Sequence, residues 1–314
     1  MKTAVLMATY NGASFIKEQL DSIRMQTESP DFVIMRDDCS TDNTVETVEQ
    51  YILDYQLTGW SIVKNEKNIG WRSNFRQLLL DCLLLDVEFV FFSDQDDVWN
   101  LDKNERQLSI LEKNREIEVL SGDLEFIKLD EEATVPNLYE FPDKDQAISK
   151  YPPHKNYQGG FRQGMTLAIR KTLVVDIMTY WKPEFKPTHD MVFQGIASLL
   201  ETGYNLNQIV ASQKRHSGNA SGKPVVSIHD SKEVHLQDLF EKSIGYHYMA
   251  YNVLKDRSSK YAEEQGRYLD WAERRYEASK GHHFFKTLKM VVLDKKYYVH
   301  YTGRIRDIYF LFKR

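Results

Sequence analysis

At 314 residues the chain has room for one large α/β domain, or for a domain with a substantial appendage. Apolar residues make up 42% of it, an ordinary globular share, and 41 Lys plus Arg stand against 46 Asp plus Glu. The formal charge of −5 argues against a general nucleic-acid binder, and two cysteines, Cys39 and Cys82, exclude a disulfide framework or a four-thiolate metal site, so a reducing compartment is expected.

The opening MKTAVLMATYNG has too short an apolar run for a signal peptide. No stretch approaches the roughly 18 apolar residues of a bilayer span, because even Leu78 to Phe92 is interrupted by Asp81, Asp86 and Glu88. A soluble or peripheral chain is expected. Four short apolar segments, Ala4–Thr9, Phe32–Met35, Ser61–Val63 and Glu88–Phe92, predict strands. Between them Ile16, Leu20 and Ile23, then Val45, Val48 and Ile52, then Phe75, Leu78, Leu79 and Cys82 recur at helical spacing. Strands alternating with helices predict βαβ units and a mostly parallel, Rossmann-like central sheet flanked by helices. In such sheets ligands sit beyond the carboxyl ends of the strands, where each segment here ends in a polar cluster.

Further along, Glu118–Lys128 is apolar, and 129–157 reads as a long surface excursion. Met165–Arg170 resembles a strand, Thr188-His189-Asp190 opens a helix over Met191–Leu200, and Ile209–Gln213 reads as a last strand. From about 231 the chain reads as helical.

The sharpest chemical feature is Asp94-Gln95-Asp96-Asp97, placed directly after the apolar run Phe89–Phe92. Three carboxylates within four residues repel one another unless a cation sits among them, and oxygen ligands with room for phosphate suit Mg²⁺ or Mn²⁺. The plainer alternative is an acidic turn with Asp97 capping the next helix. Asp37-Asp38 closes the second segment and reads either as a helix-capping turn or as a carboxylate that points into the crevice and accepts hydrogen bonds from a base or ribose.

In order and spacing, Met7-Ala8-Thr9-Tyr10-Asn11-Gly12, Asp37-Asp38-Cys39-Ser40-Thr41-Asp42-Asn43-Thr44, Asn68-Ile69-Gly70 and Asp94-Gln95-Asp96-Asp97 resemble family 2 glycosyltransferases of the glycosyltransferase A fold. Gly164 to Arg170, Thr188-His189-Asp190 and Arg215-His216-Ser217-Gly218-Asn219 are similar to that family's acceptor-half motifs. The combination of Ser93 to Trp99 with His189-Asp190 looks most like its bacterial rhamnosyltransferase branch. The resemblance implies a catalytic domain over 1–222, with a nucleotide-binding half over 1–115 and an acceptor half over 116–222, followed by a helical extension over 223–314. It implies that Ala8, Thr9, Tyr10, Asn11, Asp38, Asn68 and Asp94 bind the nucleotide, and that Asp96 and His216 hold Mn²⁺ or Mg²⁺. Asp190 is then the catalytic base, with Gln163, Gly164, His189 and Arg215 on the acceptor or phosphate side. Cys39 departs from the pattern by replacing a glycine, and Gln95 is an insert without an assigned role.

The implied reaction is inverting transfer of a sugar, with L-rhamnose from dTDP-rhamnose the leading donor, to a saccharide or lipid-linked saccharide in cell-surface polysaccharide synthesis, cell wall or capsule. The alternatives are a UDP-hexose-dependent transferase of the same fold, a metal-dependent nucleotidyltransferase, and a catalytically silent sugar or nucleotide binding module. Residues 281–314 carry +6, leaving −11 on the rest, and interleave that charge with aromatic residues. Such a tail suits an anionic membrane surface on the cytoplasmic side, packing as core, or contact between copies in a homo-oligomer.

Overall fold

The computed structural model describes residues 1–156, 160–215 and 229–313, so His216 and the Ser217-Gly218-Asn219 motif lie outside the described residues. The first half follows the expected alternation: β1 (Thr3–Thr9), α1 (Ile16–Arg24), β2 (Phe32–Asp37), α2 (Thr44–Asp54), β3 (Trp60–Lys64), α3 (Trp71–Leu83) and β4 (Phe89–Ser93). The side chains of β1 from Ala4 to Met7 and of β4 from Val90 to Phe92 are wholly buried. A strand covered by helices on both faces requires such continuous apolar runs. The strands β1, β2, β3 and β4 pair in parallel, β1 lying between β2 and β4.

The second half is mixed. After β5 (Val98–Trp99) and α4 (Lys103–Lys113) come β6 (Val119–Lys128), β7 (Ile148–Lys150), β8 (Ala168–Arg170), α5 (Lys171–Tyr180), α6 (His189–Leu200) and β9 (Gly203–Arg215). Strand β8 is antiparallel to β4 and β6, and β9 is parallel to β6 but antiparallel to β5 and β7. Among the described residues the sheet has nine strands, in the order β3, β2, β1, β4, β8, β6, β9, β5, with β7 paired to β9.

Two expectations are corrected here. Asp97 does not cap a helix: it is followed by β5, and α4 begins only at Lys103, after Asp102. The 129–157 stretch is not wholly a surface excursion, because Phe141 and Tyr151 are buried, stack on each other and pack against Phe161, while β7 pairs with β9. Apolar anchors at long intervals hold this segment down, and they leave no periodic signal.

The chain ends in α7 (Lys232–Asp238), a π-helical turn over Leu239–Ile244, α8 (Gly245–Asp256), α9 (Ala262–Lys280), α10 (Phe284–Leu293) and α11 (Tyr301–Phe312). Tyr246, Met249, Ala250 and Val253 of α8 join the apolar core that also holds Leu6 of β1 and Phe92 of β4. A Cβ on Gly195 of α6 would meet Tyr246 Oη at 2.3 Å, so this glycine makes room for the tyrosine ring of α8. Of the tail aromatics, Tyr297, Tyr298 and Phe310 are buried, whereas Phe285, Tyr301 and Phe312 are 83%, 66% and 71% exposed. Arg275 of α9 donates two hydrogen bonds of 2.7 Å to Asp307 of α11, and Tyr298 adds a third at 2.7 Å.

On α8, His247 is fully buried, and Gln265 Nε2 donates to its Nδ1 at 2.7 Å. Burial holds this imidazole down to about 3. The unfolded chain therefore takes up the proton first, so the stability from a neutral His247 is complete above about pH 6.5 and declines as the pH falls toward the folded value. The stability of the wild type relative to His247→Gln is expected to drop by about 2–3 kcal/mol between pH 7 and 4.5. Urea unfolding of both chains at the two pH values measures it, and an unchanged difference contradicts the assignment.

Candidate active site

Three loops leave the same edge of the sheet, after β1, β2 and β4, because Thr9 registers with Asp37 and Met7 with Ser93. Their polar residues first tie the loops together. Asp37 accepts from Ser40 N at 2.7 Å and from Thr9 Oγ1 at 3.0 Å, while Asn11 Oδ1 accepts from Thr41 N at 2.8 Å. Asn11 N donates to Ser40 Oγ and Gly12 N to Thr44 Oγ1, each at 2.8 Å. Cys39 takes φ 68°, a left-handed conformation that favours glycine. That conformation costs a non-glycine residue about 1–2 kcal/mol.

Gln95 acquires a role that its sequence position did not reveal. Its Oε1 accepts from Tyr10 N and its Nε2 donates to Tyr10 O, both at 2.9 Å, clamping the loop after β4 to the loop after β1. A Cβ on Gly12 would lie 2.1 Å from that Oε1. Glycine at 12 thus keeps the clamp closed.

Asp38 is buried, and its carboxylate accepts from Ile69 N and Gly70 N at 2.8 Å and from Asn65 Nδ2 at 3.1 Å. It fastens the loop before α3, where Asn68 Oδ1 also accepts from Gly70 N at 3.1 Å. Ala8 lies in β1 opposite Arg36, and the Tyr10 ring stands 48% exposed.

Beside these ties the acids converge. Burial, then the charges of Asp96 and Asp190, pushes Asp94 up to about 7. Asp190, second residue of α6, is thereby brought to the strand-end cluster from the other half of the chain. Its Oδ1 accepts from Met191 N at 2.8 Å, while Thr188 occupies the cap position. Asp97 is buried and lies well above the carboxylate range, through burial and then Asp94 and Asp96, with the Lys214 backbone and the Arg215 charge opposing.

Among the described residues no group of three or more His, Cys, Asp and Glu is arranged to hold a metal ion. The crevice instead offers the neighbouring carboxylates of Asp94 and Asp96 with Asp190 close by. An all-oxygen set of this kind fits a hard divalent cation that takes one or two carboxylates and completes its shell from phosphate and water.

His189 faces inward. Its ring stacks on Phe75 at 3.8 Å between centroids and meets Phe92 edge-on at 4.5 Å, and burial holds it down to about 4, hence neutral near pH 7. A Cβ on Gly164 would lie 2.6 Å from its Nε2, so Gly164 makes room for the imidazole beneath Asp190. Gln163 starts the turn into β8, its carbonyl accepting from Thr166 N at 3.1 Å. Arg215 is buried, and its Nε donates to Thr134 O at 3.0 Å. Sequence reasoning also missed Arg72 and Trp271, which line a cavity beside Asp190. They fall on helices whose spacing reports only an apolar face.

The model of the family described as Glycosyl transferase family 2 matches residues 4–173. A curated relative, dTDP-rhamnosyl transferase RfbG of Shigella flexneri, is 38% identical over 105 residues, 33% of this chain and 36% of that protein. Poly(ribitol-phosphate) beta-N-acetylglucosaminyltransferase TarS of Staphylococcus aureus is 36% identical over 102 residues, 32% of this chain and 17% of that protein. The matches thus span about a third or less of these relatives. The crystal structure of S. aureus TarS 1-349 in complex with UDP-GlcNAc superposes with a TM-score of 0.61 at 20% identity, over 99% of this chain and 90% of that one. GalNAc-T7 with UDP, GalNAc and Mn²⁺ superposes with a TM-score of 0.56 at 13% identity, over 84% and 56%. The fold is the glycosyltransferase A fold.

If Gly12 exists to admit Gln95, then Gly12→Ala and Gln95→Ala break one clamp. Each is expected to cost about 1 kcal/mol in urea unfolding, and the double variant no more than the larger single one. Fully additive losses contradict the clamp.

Proposed function

The chain belongs to glycosyl transferase family 2, and on that basis we propose that it moves a sugar from a nucleotide-diphosphate donor to a saccharide or lipid-linked saccharide with inversion, in cell-surface polymer synthesis. The observation that carries this reading is the convergence of Asp94, Asp96 and Asp190 at the carboxyl ends of the strands. Parallel α/β sheets bind their ligands at that edge.

We assign the nucleoside to the floor made by Ala8, Thr9, Tyr10 and Asn11 with Asp38 and the Asn68 loop, where the half-exposed Tyr10 ring offers a stacking face. Asp94 stands at the ribose side. The donor diphosphate lies at Asp96, which would hold Mn²⁺ or Mg²⁺ with Asp94 beside it. When bound, the cation supplies neutralisation of the charge that develops on the leaving diphosphate. Asp190 accepts the proton of the acceptor hydroxyl as that oxygen bonds to the anomeric carbon. The bond from that carbon to the diphosphate oxygen breaks, and the nucleoside diphosphate leaves. One base and no carboxylate nucleophile give a single displacement. Neutral His189, wedged between Phe75 and Gly164, fixes the start of α6 and so the aim of Asp190. L-rhamnose from dTDP-rhamnose is the leading donor, supported by the likeness to RfbG.

No helix among the described residues is long and apolar enough to cross a membrane. We assign the exposed face of α10 and α11, with Phe285, Leu293, Tyr301 and Phe312 beside Lys286, Lys289 and Arg304, to an anionic membrane surface on the cytoplasmic side.

Nucleotide release from a panel including dTDP-rhamnose and UDP-hexoses, with and without Mn²⁺, tests the donor. Asp190→Asn is expected to lower transfer by about 10²–10⁴ while donor affinity stays within a factor of a few, and Asp96→Ala to abolish metal-dependent donor binding. Undiminished transfer by Asp190→Asn contradicts the mechanism. For the membrane, Phe285→Ser with Phe312→Ser in the full chain spares the buried Tyr297 and Phe310. It is expected to lose flotation with anionic liposomes; equal recovery, with a dimer in sedimentation, assigns the face to a second copy instead.

A further inference from the structure

Next to Asp190 lies a cavity of about 680 Å³, inside the range of roughly 300–1,000 Å³ typical of ligand pockets. Thr188 and Met191, on either side of Asp190, line it together with Arg72 from the start of α3. Trp271, Arg275, Tyr297 and Arg306, from the C-terminal helices and the turn between them, line it as well. Those helices lie beyond the stretch that matches the family model.

The walls carry unmet polar groups. Arg72 Nε, Asn156 Oδ1, Trp271 Nε1 and Arg306 Nε are buried without a hydrogen-bond partner among the described residues. Trp271 is only 3% exposed. Such atoms also occur elsewhere among the described residues, but the four gathered here line one cavity, where a ligand can partner them.

The charges point the same way. Of the cations lining the cavity, Arg275 is held by Asp307, and Lys242 by Asp238 at 2.7 Å. Asp238 and Asp307 are also the acids that act on Arg306, and both are thus already claimed. Arg72 and Arg306 form no ion pair or hydrogen bond among the described residues, and a guanidinium keeps its charge at any working pH. Two half-buried guanidinium groups without an ion-pair partner, beside a half-open cavity, call for an anion, and phosphate suits their fork of donors.

We propose that this cavity is the acceptor site and that it takes a saccharide bearing a phosphate or diphosphate group. Trp271 Nε1 donates to one oxygen of the sugar, a neighbouring hydroxyl reaches Asp190, and Arg72 and Arg306 meet the anion. The proposal rests on the transferase reading of Asp190. The anion comes either from a lipid diphosphate that carries the sugar or from a phosphate along a polymer.

Calorimetric titration of the full chain decides between them with three probes: N-acetylglucosaminyl diphosphate on a short citronellyl chain, a glycerol-phosphate trimer, and neutral octyl N-acetylglucosaminide. At least one phosphorylated probe is expected to bind, and Arg306→Gln and Arg72→Gln each to weaken it tenfold or more. Arg306→Lys is expected to keep part of the affinity, and the neutral probe to bind weakly and alike to all variants. Binding of the citronellyl probe alone assigns a lipid-linked acceptor, and binding of the trimer alone a polymer.

Affinity within twofold of wild type in both glutamine variants, binding of neither phosphorylated probe, or equal binding of the neutral probe overturns the proposal. Should Arg306→Gln fail to fold, Arg72→Gln on the catalytic domain gives the same reading. The two readings fail separately. Arg306-dependent binding in a chain that turns over no donor sinks the transferase and keeps the anion site. Transfer to a neutral saccharide by Arg306→Gln with an unchanged KM does the reverse.

Discussion

The gathering of carboxylates at one partly buried edge of the sheet is the constraint on which the site depends. Burial first, and then the charges of nearby Asp96 and Asp190, lift Asp94 to about 7. Nothing in the stability of a fold rewards placing like charges together at a partly buried edge, so the arrangement is a cost unless positive charge arrives. On the proposed reading, the divalent cation that accompanies the donor diphosphate supplies that charge. On that reading the acids are one half of an interaction whose other half is the cation and the donor it carries.

The scaffold around the acids is built to keep them there. The parallel register of β1, β2 and β4 brings three loops to one edge, and Gln95, Asp37, Asn11 and Asp38 then tie those loops to one another. Cys39 accepts a left-handed backbone to preserve one of the turns. From the opposite side, α6 delivers Asp190 over a neutral, buried His189, and the C-terminal helices close the space beyond it. Apolar residues of these helices share one core with the strands of the sheet.

The first half of the fold was legible because strands buried on both faces carry unbroken apolar runs, such as Val5 to Met7 and Val90 to Phe92, and the helices between them repeat at their own period. The second half was less so. Strand β8 has three residues, β5 has two, and neither is long enough to display a period. Strand β9 runs from Gly203, ahead of the apolar stretch that announced it, because polar Asn205 is buried there and bonded to Ser121 and Asp123. At the site, motif residues were visible as types at fixed spacings, but their tasks were not. Asp38 and Asn11 turned out to hold loops, His189 to support Asp190, and Gln95 to clamp Tyr10. Arg72, Trp271 and Arg306 carry no local signal at all, since their meaning depends on long-range packing around one cavity.

The central claim is that Asp94, Asp96 and Asp190 surround one cation-bound diphosphate. Paramagnetic relaxation in the full chain, with Mn²⁺ and a nucleoside diphosphate set against Mg²⁺ and the same nucleotide, tests it directly. The account predicts that backbone amide signals at all three aspartates vanish under Mn²⁺ while those of surface acids such as Asp145 and Asp270 persist. Loss at Asp94 and Asp96 with an undisturbed signal at Asp190 would contradict it.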